Sequence, residues 1–110
     1  MSETMNKQQL ATGAKVMRAL AHPVRLGVLQ CLHDGKKTVN ELAHMLDCSQ
    51  SMMSQQLAIL ESQEIISSHK SGTTKYCSLR NPAFMDMYKC LHEHMLKYLR
   101  VGDKSTDSGS

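Results

Sequence analysis

The sequence predicts a mainly α-helical domain that carries one small β-hairpin. Three observations lead there. Apolar residues recur at helical spacing in five separate segments, two short extended runs flank Ser71-Gly72, and these runs fall between the fourth and fifth helical segments. A chain of 110 residues can bury one modest core. The reading divides it into a flexible lead (residues 1–7), a folded domain (residues 8–101) and a disordered tail (residues 102–110), the last polar and without an apolar anchor.

The first helix is expected over about Gln8 to Ala21. Leu10, Ala14, Met17 and Ala21 share one face, with Val16 and Leu20 beside it. It stops at His22-Pro23, because a proline pushes the preceding residue out of the helical region. Pro23 suits the first turn of the second helix, whose stripe is Leu26, Leu29 and Leu32 with Val28 alongside and whose end is Asp34-Gly35. Thr38-Val39-Asn40-Glu41 reads as a capping box opening the third helix, which buries Leu42, Ala43 and Leu46. After the break Asp47-Cys48-Ser49, Ser49 caps a fourth helix running to about Gln63, with Met53, Leu57 and Leu60 inward and Ile59 alongside.

Extended runs at Ile65–Lys70 and Thr73–Leu79 give the hairpin. Asn81-Pro82 opens the last helix, with Phe84, Met87, Leu91, Met95 and Tyr98 as its stripe. That stripe is longer than a four-helix core with a small sheet can cover. The first and last helices are therefore expected to form a homodimer interface. Met17, Met53, Met87 and Met95 are read as fitting core stripes, with Met52 partly exposed.

The third and fourth helices, joined by a tight turn, have helix-turn-helix spacing. The second of the pair is then placed to enter a major groove. Its outer face carries Gln50, Ser51, Ser54 and Gln55 behind the cap Ser49, with no charge from Ser49 to Leu60. Amides and hydroxyls offer both donors and acceptors to base edges, and the absence of carboxylates avoids repelling phosphate. The hairpin places His69, Lys70 and Lys75 near its tip, with Thr73 among the neutral donors, as a wing gripping the sugar-phosphate backbone requires. The competing reading is a protein-contact module of the same shape without sequence-specific DNA binding.

Several blocks resemble, in order, an ArsR-type winged helix-turn-helix regulator. They are Ala19-Leu20-Ala21-His22-Pro23-Val24-Arg25-Leu26, Thr38 to Ala43, Ser49 to Leu60, and Lys70-Ser71-Gly72-Thr73-Thr74-Lys75-Tyr76. The resemblance covers about Gln8 to Tyr98. It implies a homodimer, a double-stranded DNA operator with two half-sites, and usually repression relieved by a chemical inducer such as a reactive sulfur species, an oxidant or a metal. Two departures stand out. Glu64 replaces a glycine frequent before the wing, and Gln56 replaces a common histidine, a change expected to alter base preference.

The sequence looks closest to the family's sulfur-sensing subgroup, which has one cysteine in the second helix and one in the last. Cys31 and Cys90 occupy those helices and are candidate thiol sensors. Cys31 falls one residue after the subgroup's position and Cys90 about six before it. One residue turns a helix by ~100°, enough to change a thiol's face. The family's Cys-x-Cys metal site is absent from Val39 to Leu46, and its last-helix ligand spacing does not appear. Asp86, Cys90 and His94 share a face of the last helix and remain candidate metal ligands.

The composition narrows the remaining classes. Net charge is +3, with 41% hydrophobic and 21% charged residues. No GxSxG, P-loop or HExxH motif is present, and His92-Glu93-His94 is too tight to set two imidazoles on one helical face, so no enzyme is expected. No required cofactor is expected either. No apolar run spans a membrane and no signal pattern opens the chain, so a cytoplasmic location with reduced thiols is expected.

Overall fold

The computed structural model describes residues 4–102. Residues 1–3 of the expected lead, and the expected tail beyond Gly102, lie outside the described residues. The order is α1 (Lys7–Leu20), α2 (Pro23–Cys31), β1 (Lys37–Thr38), α3 (Val39–Met45), α4 (Gln50–Ser62), β2 (Ile66–Ser71), β3 (Thr74–Leu79) and α5 (Phe84–His94), whose end widens into a π-helical turn at Met95–Leu99. The helices and hairpin follow the expected order. The two-residue strand β1 does not appear in the sequence reading. It pairs antiparallel with β3, Lys37 opposite Cys77 and Thr38 opposite Tyr76, giving the sheet order β1-β3-β2. Two residues carry no period, so this strand is made by its partner and not by its own pattern.

Local chemistry sets the helix ends. Asn6 and Gln9 form a capping box at α1, which starts the helix at Lys7, ahead of the expected boundary. The His22 imidazole accepts from the Val24 amide and caps α2, with Pro23 in the first turn. Thr38 Oγ1 accepts from the Glu41 amide at 3.0 Å while the Glu41 carboxylate accepts from the Thr38 amide at 2.8 Å, the expected box at α3. The Thr38 amide, and after it the Thr38 hydroxyl, hold the Glu41 carboxyl below the usual carboxylate range. Ser49 caps α4 through the Met52 amide. At α5 the Asn81 side chain accepts from Ala83, but the regular helix starts only at Phe84, a little after the expected Asn-Pro start.

The core lies where α2, α3 and α4 meet the inner face of the sheet. Val28, Leu29, Leu42, Met53, Leu57, Leu60, Ile65, Ile66 and Cys77 are its largest fully buried side chains. Gly27 lets α2 and α3 approach, since a Cβ there would sit 2.7 Å from the Leu46 side chain. The reading of Met17 and Met87 as core residues needs correction. The Leu10–Met17 stripe of α1 does not enter the core: Leu10 is 55% and Met17 60% exposed, and Ala19 and Leu20 are buried instead. Likewise Met87 is exposed, as is Tyr98 at the end of a stripe expected to outrun the core, and Ile59, expected beside the inward stripe of α4, faces outward. In both end helices the face turned to the core is offset from the longest apolar stripe.

Candidate nucleic-acid interface

The turn between α3 and α4 is closed by backbone hydrogen bonds from Cys48 to Ala43 and from Asp47 to His44. Asp47 adopts a left-handed conformation (φ 53°), which a short polar side chain tolerates. Inward contacts of Met53, Leu57 and Leu60 fix the rotation of α4. Ser49, Gln50, Ser51, Ser54 and Gln55 are consequently all exposed. The Ser49 oxygen is used as a cap acceptor, but its O–H can still donate.

The hairpin stands beside this face. Gln50 and Ser54 of α4, Thr38 and Asn40 at the start of α3, and Thr73, Thr74 and Lys75 of the wing line one polar cleft of about 300 Å3. The register is Ser71 opposite Thr74 and Lys70 opposite Lys75, which makes Gly72-Thr73 the two-residue turn, one position beyond the expected Ser71-Gly72 pair. Gly72 supplies the positive φ (67°) the turn needs.

Strand alternation sorts the expected wing residues onto two faces. Lys70 and Lys75 share the inner face, where like charges directly opposite repel. Lys75 is drawn to Glu61 of α4 at 3.5 Å, and Glu61 also accepts from Ser68 of β2 at 2.9 Å. Lys70 is exposed and forms no ion pair among the described residues. His69 lies on the outer face, stacked on Tyr76 at 5.8 Å, with the Lys36 ammonium 4.8 Å above the Tyr76 ring. Lys36 and Glu61 were missed by the sequence reading. Neither carries a local signal, because each matters only once β3 is paired.

Gln56 does not join the exposed face. It is 8% exposed, and its amide oxygen accepts from Arg25 Nη1 at 2.6 Å. An effect of Gln56 on base preference would therefore be indirect: one residue on from Gln55, the helix has turned it inward.

The candidate sensor residues are dispersed. Cys31 is buried and Cys90 exposed. Tyr88 turns toward α2, where its hydroxyl donates to the Gln30 amide oxygen, so Cys90, two residues on, faces away from α2. Within one protomer the Cys31–Cys90 pair is not assembled. Burial pushes the Cys31 thiol up, partly offset by Lys37, and burial likewise raises Cys77. Both are then poor thiolate sources at neutral pH. Asp86, Cys90 and His94 line one groove on the outer side of α5 together with Lys89 and Lys97. Asp86 and His94 are ~12 Å apart along the axis at 1.5 Å per residue. Among the described residues of the protomer no group of three such side chains is placed to hold a metal ion.

A helix-turn-helix with an exposed, uncharged polar face on its second helix, flanked by a hydroxyl-rich hairpin, defines the winged helix-turn-helix class. The model of the bacterial regulatory protein arsR family matches residues 22–68. The transcriptional repressor SmtB homolog of Synechocystis is 32% identical over 93 residues, covering 84% of this chain and 70% of that protein. The transcriptional repressor SdpR of Bacillus subtilis is 31% identical over 88 residues, covering 80% and 93%. The transcriptional activator HlyU of Vibrio cholerae is 32% identical over 92 residues, covering 80% and 85%. The solved HlyU structure superposes with a TM-score of 0.72 at 31% identity, over 84% of this chain and 98% of that one.

The chain belongs to the ArsR family of bacterial regulatory proteins. It is a DNA-binding transcription regulator and not an enzyme. No helix among the described residues is long and apolar enough to cross a membrane.

Proposed function

We propose that the protein is a cytoplasmic, homodimeric repressor that reads a two-fold operator through α4. The observation that carries this reading is the exposed, uncharged polar face of α4 sharing one cleft with the wing. Gln50, Ser51, Ser54 and Gln55 offer paired donors and acceptors to base edges. Ser49, Thr73 and the ammonium of Lys70 hold the adjacent backbone, and Lys75 and His69 complete the wing.

Dimerisation is supported by the apolar faces left outside the core. Leu10 and Met17 on α1, and Met87, Leu91, Leu96 and Tyr98 on α5 and its terminal turn, are exposed. Beside them Met17, Leu20, Leu26, Leu29, Met87 and Leu91 line an apolar cleft of about 260 Å3 between α1, α2 and α5. Surface of this kind marks an interface. Repression is the mode such a small dimer supplies by occupancy alone. It is also the printed role of the Synechocystis and Bacillus relatives, although HlyU is named an activator.

Selection from a random duplex library, followed by footprinting, tests the reading. The expected result is an enriched inverted repeat protected as two half-sites about one helical turn apart, ~34 Å. A protein that enriches no sequence and protects random duplex equally would favour the protein-contact alternative.

A further inference from the structure

Gln56 is the one buried polar side chain recorded among the described residues, and it sits on the inward side of the helix that faces DNA. Its neighbours there are Met53, Leu57 and Leu60. An apolar residue of similar shape would fill the same place, and burying an amide is costly unless it is hydrogen-bonded. Its nitrogen finds only the Met52 sulfur, at 3.6 Å. The strong contact is at the oxygen, which accepts from Arg25 Nη1 at 2.6 Å.

Arg25 makes a second attachment. Its Nε donates to the Ala19 carbonyl, and Nη2 lies 3.5 Å from the Arg18 carbonyl. Both carbonyls belong to the last turn of α1, where a cation is favoured by the helix dipole; the Arg18 oxygen also accepts from the Ala21 amide at 3.2 Å. The guanidinium fork suits this double task, because its donors diverge in one plane, whereas a lysine ammonium at the same site would bridge the two acceptors poorly. A single side chain from the first turn of α2 thus ties the end of α1 to the middle of α4.

We propose that Arg25 and Gln56 form a positioning pair that sets the orientation of the reading helix relative to α1. The proposal rests on the DNA-reading and dimer assignments above. In that dimer α1 belongs to the interface, so any tilt of α4 against α1 changes the separation of the two reading helices. That separation must match the half-site spacing of the operator. The pair contributes no base contact; it acts through Gln50, Ser51, Ser54 and Gln55.

The test uses the full chain, the duplex enriched by the wild type and a random duplex of equal length, with thermal stability measured alongside. Arg25→Lys and Gln56→Met are each expected to lower the enriched-to-random affinity ratio about tenfold with random-duplex affinity kept, and the double variant to lose little more than either single one. Gln56→His, whose ring nitrogen can accept from Arg25, is expected to recover most of the ratio if Gln56→Met folds poorly or discriminates poorly. Repeating the selection with Arg25→Lys should return the same half-site bases with relaxed spacing. Two results overturn the proposal: ratios within twofold of wild type while stability falls, or a changed base preference in Gln56→Met that Arg25→Lys does not share. If the wild type enriches no sequence at all, the DNA-reading assignment itself fails.

Discussion

The half of the molecule built from α3, α4 and the sheet differs from the half built from α1 and α5 in how far a single chain completes it. In the first, Leu42, Met53, Leu57, Leu60, Ile65 and Ile66 are fully enclosed, both α3 and α4 have side-chain caps, and Glu61 ties the wing to α4. In the second, α1 buries only Ala19 and Leu20, α5 buries only Met85, and long apolar side chains stand in solvent. The contrast teaches that the exposed polar face of α4, the proposed reading surface, is preorganised within the protomer. The α1–α5 surface is left for a second copy under the proposed reading. Substitutions should therefore separate the two halves by what they damage.

The largest effect is expected from charge on the open faces. Met17→Glu together with Leu91→Glu should leave the protomer folded and give monomers by sedimentation. Operator affinity should then fall about a thousandfold, because two linked half-site contacts become independent. Retained dimers would move the interface elsewhere. Truncation in the closed half should act on folding instead: Leu57→Ala should cost about 3 kcal/mol in denaturant unfolding, through lost burial and a cavity. Met17→Ala, at an exposed site, should change protomer stability within ~0.5 kcal/mol.

A smaller effect sharpens the picture at α3. Thr38→Ala removes the cap hydroxyl and should cost about 1 kcal/mol, read as a lowered melting temperature. The Glu41 side of the same box has a pH signature. Its carboxyl is held below the usual range, so its stabilisation is present at neutral pH and is lost as pH falls through its lowered folded value. Glu41→Gln should flatten that acid-side loss. On the wing, Lys70→Ala should reduce the salt dependence of DNA binding by about one ion. Lys75→Ala should change it less, because Glu61 already engages that ammonium.

The comparison also explains what was legible in the sequence. Helices α2, α3 and α4 were readable because caps and apolar period agree there: His22-Pro23, Thr38 with Glu41, and Ser49 each sit where the backbone needs them. The exposed reading face followed from the same period. The helical stripes of α1 and α5 were real, but periodicity alone does not say whether a stripe faces its own core. Strand β1, the Lys36–Tyr76 contact and the Glu61 bridge depend on pairing between distant segments, to which local pattern is blind. The sequence left Gln56 off the reading face, but its burial and its bond to Arg25, a residue 31 positions away, could not be read from local pattern. Glu64 is informative in the other direction. It stands at a left-handed φ of 58°, which accounts for the glycine frequent there among similar sequences.

The central claim, that the exposed face of α4 reads base edges, is tested most directly by titrating Gln50→Ala and Gln55→Ala against the enriched and random duplexes at one salt concentration. Loss of a bidentate base contact should lower specific affinity by ~1–3 kcal/mol per variant, while random-duplex affinity stays unchanged because no charge is removed. Thermal stability should shift by less than ~0.5 kcal/mol. Full discrimination by both variants at unchanged stability would contradict the assignment of this face to DNA.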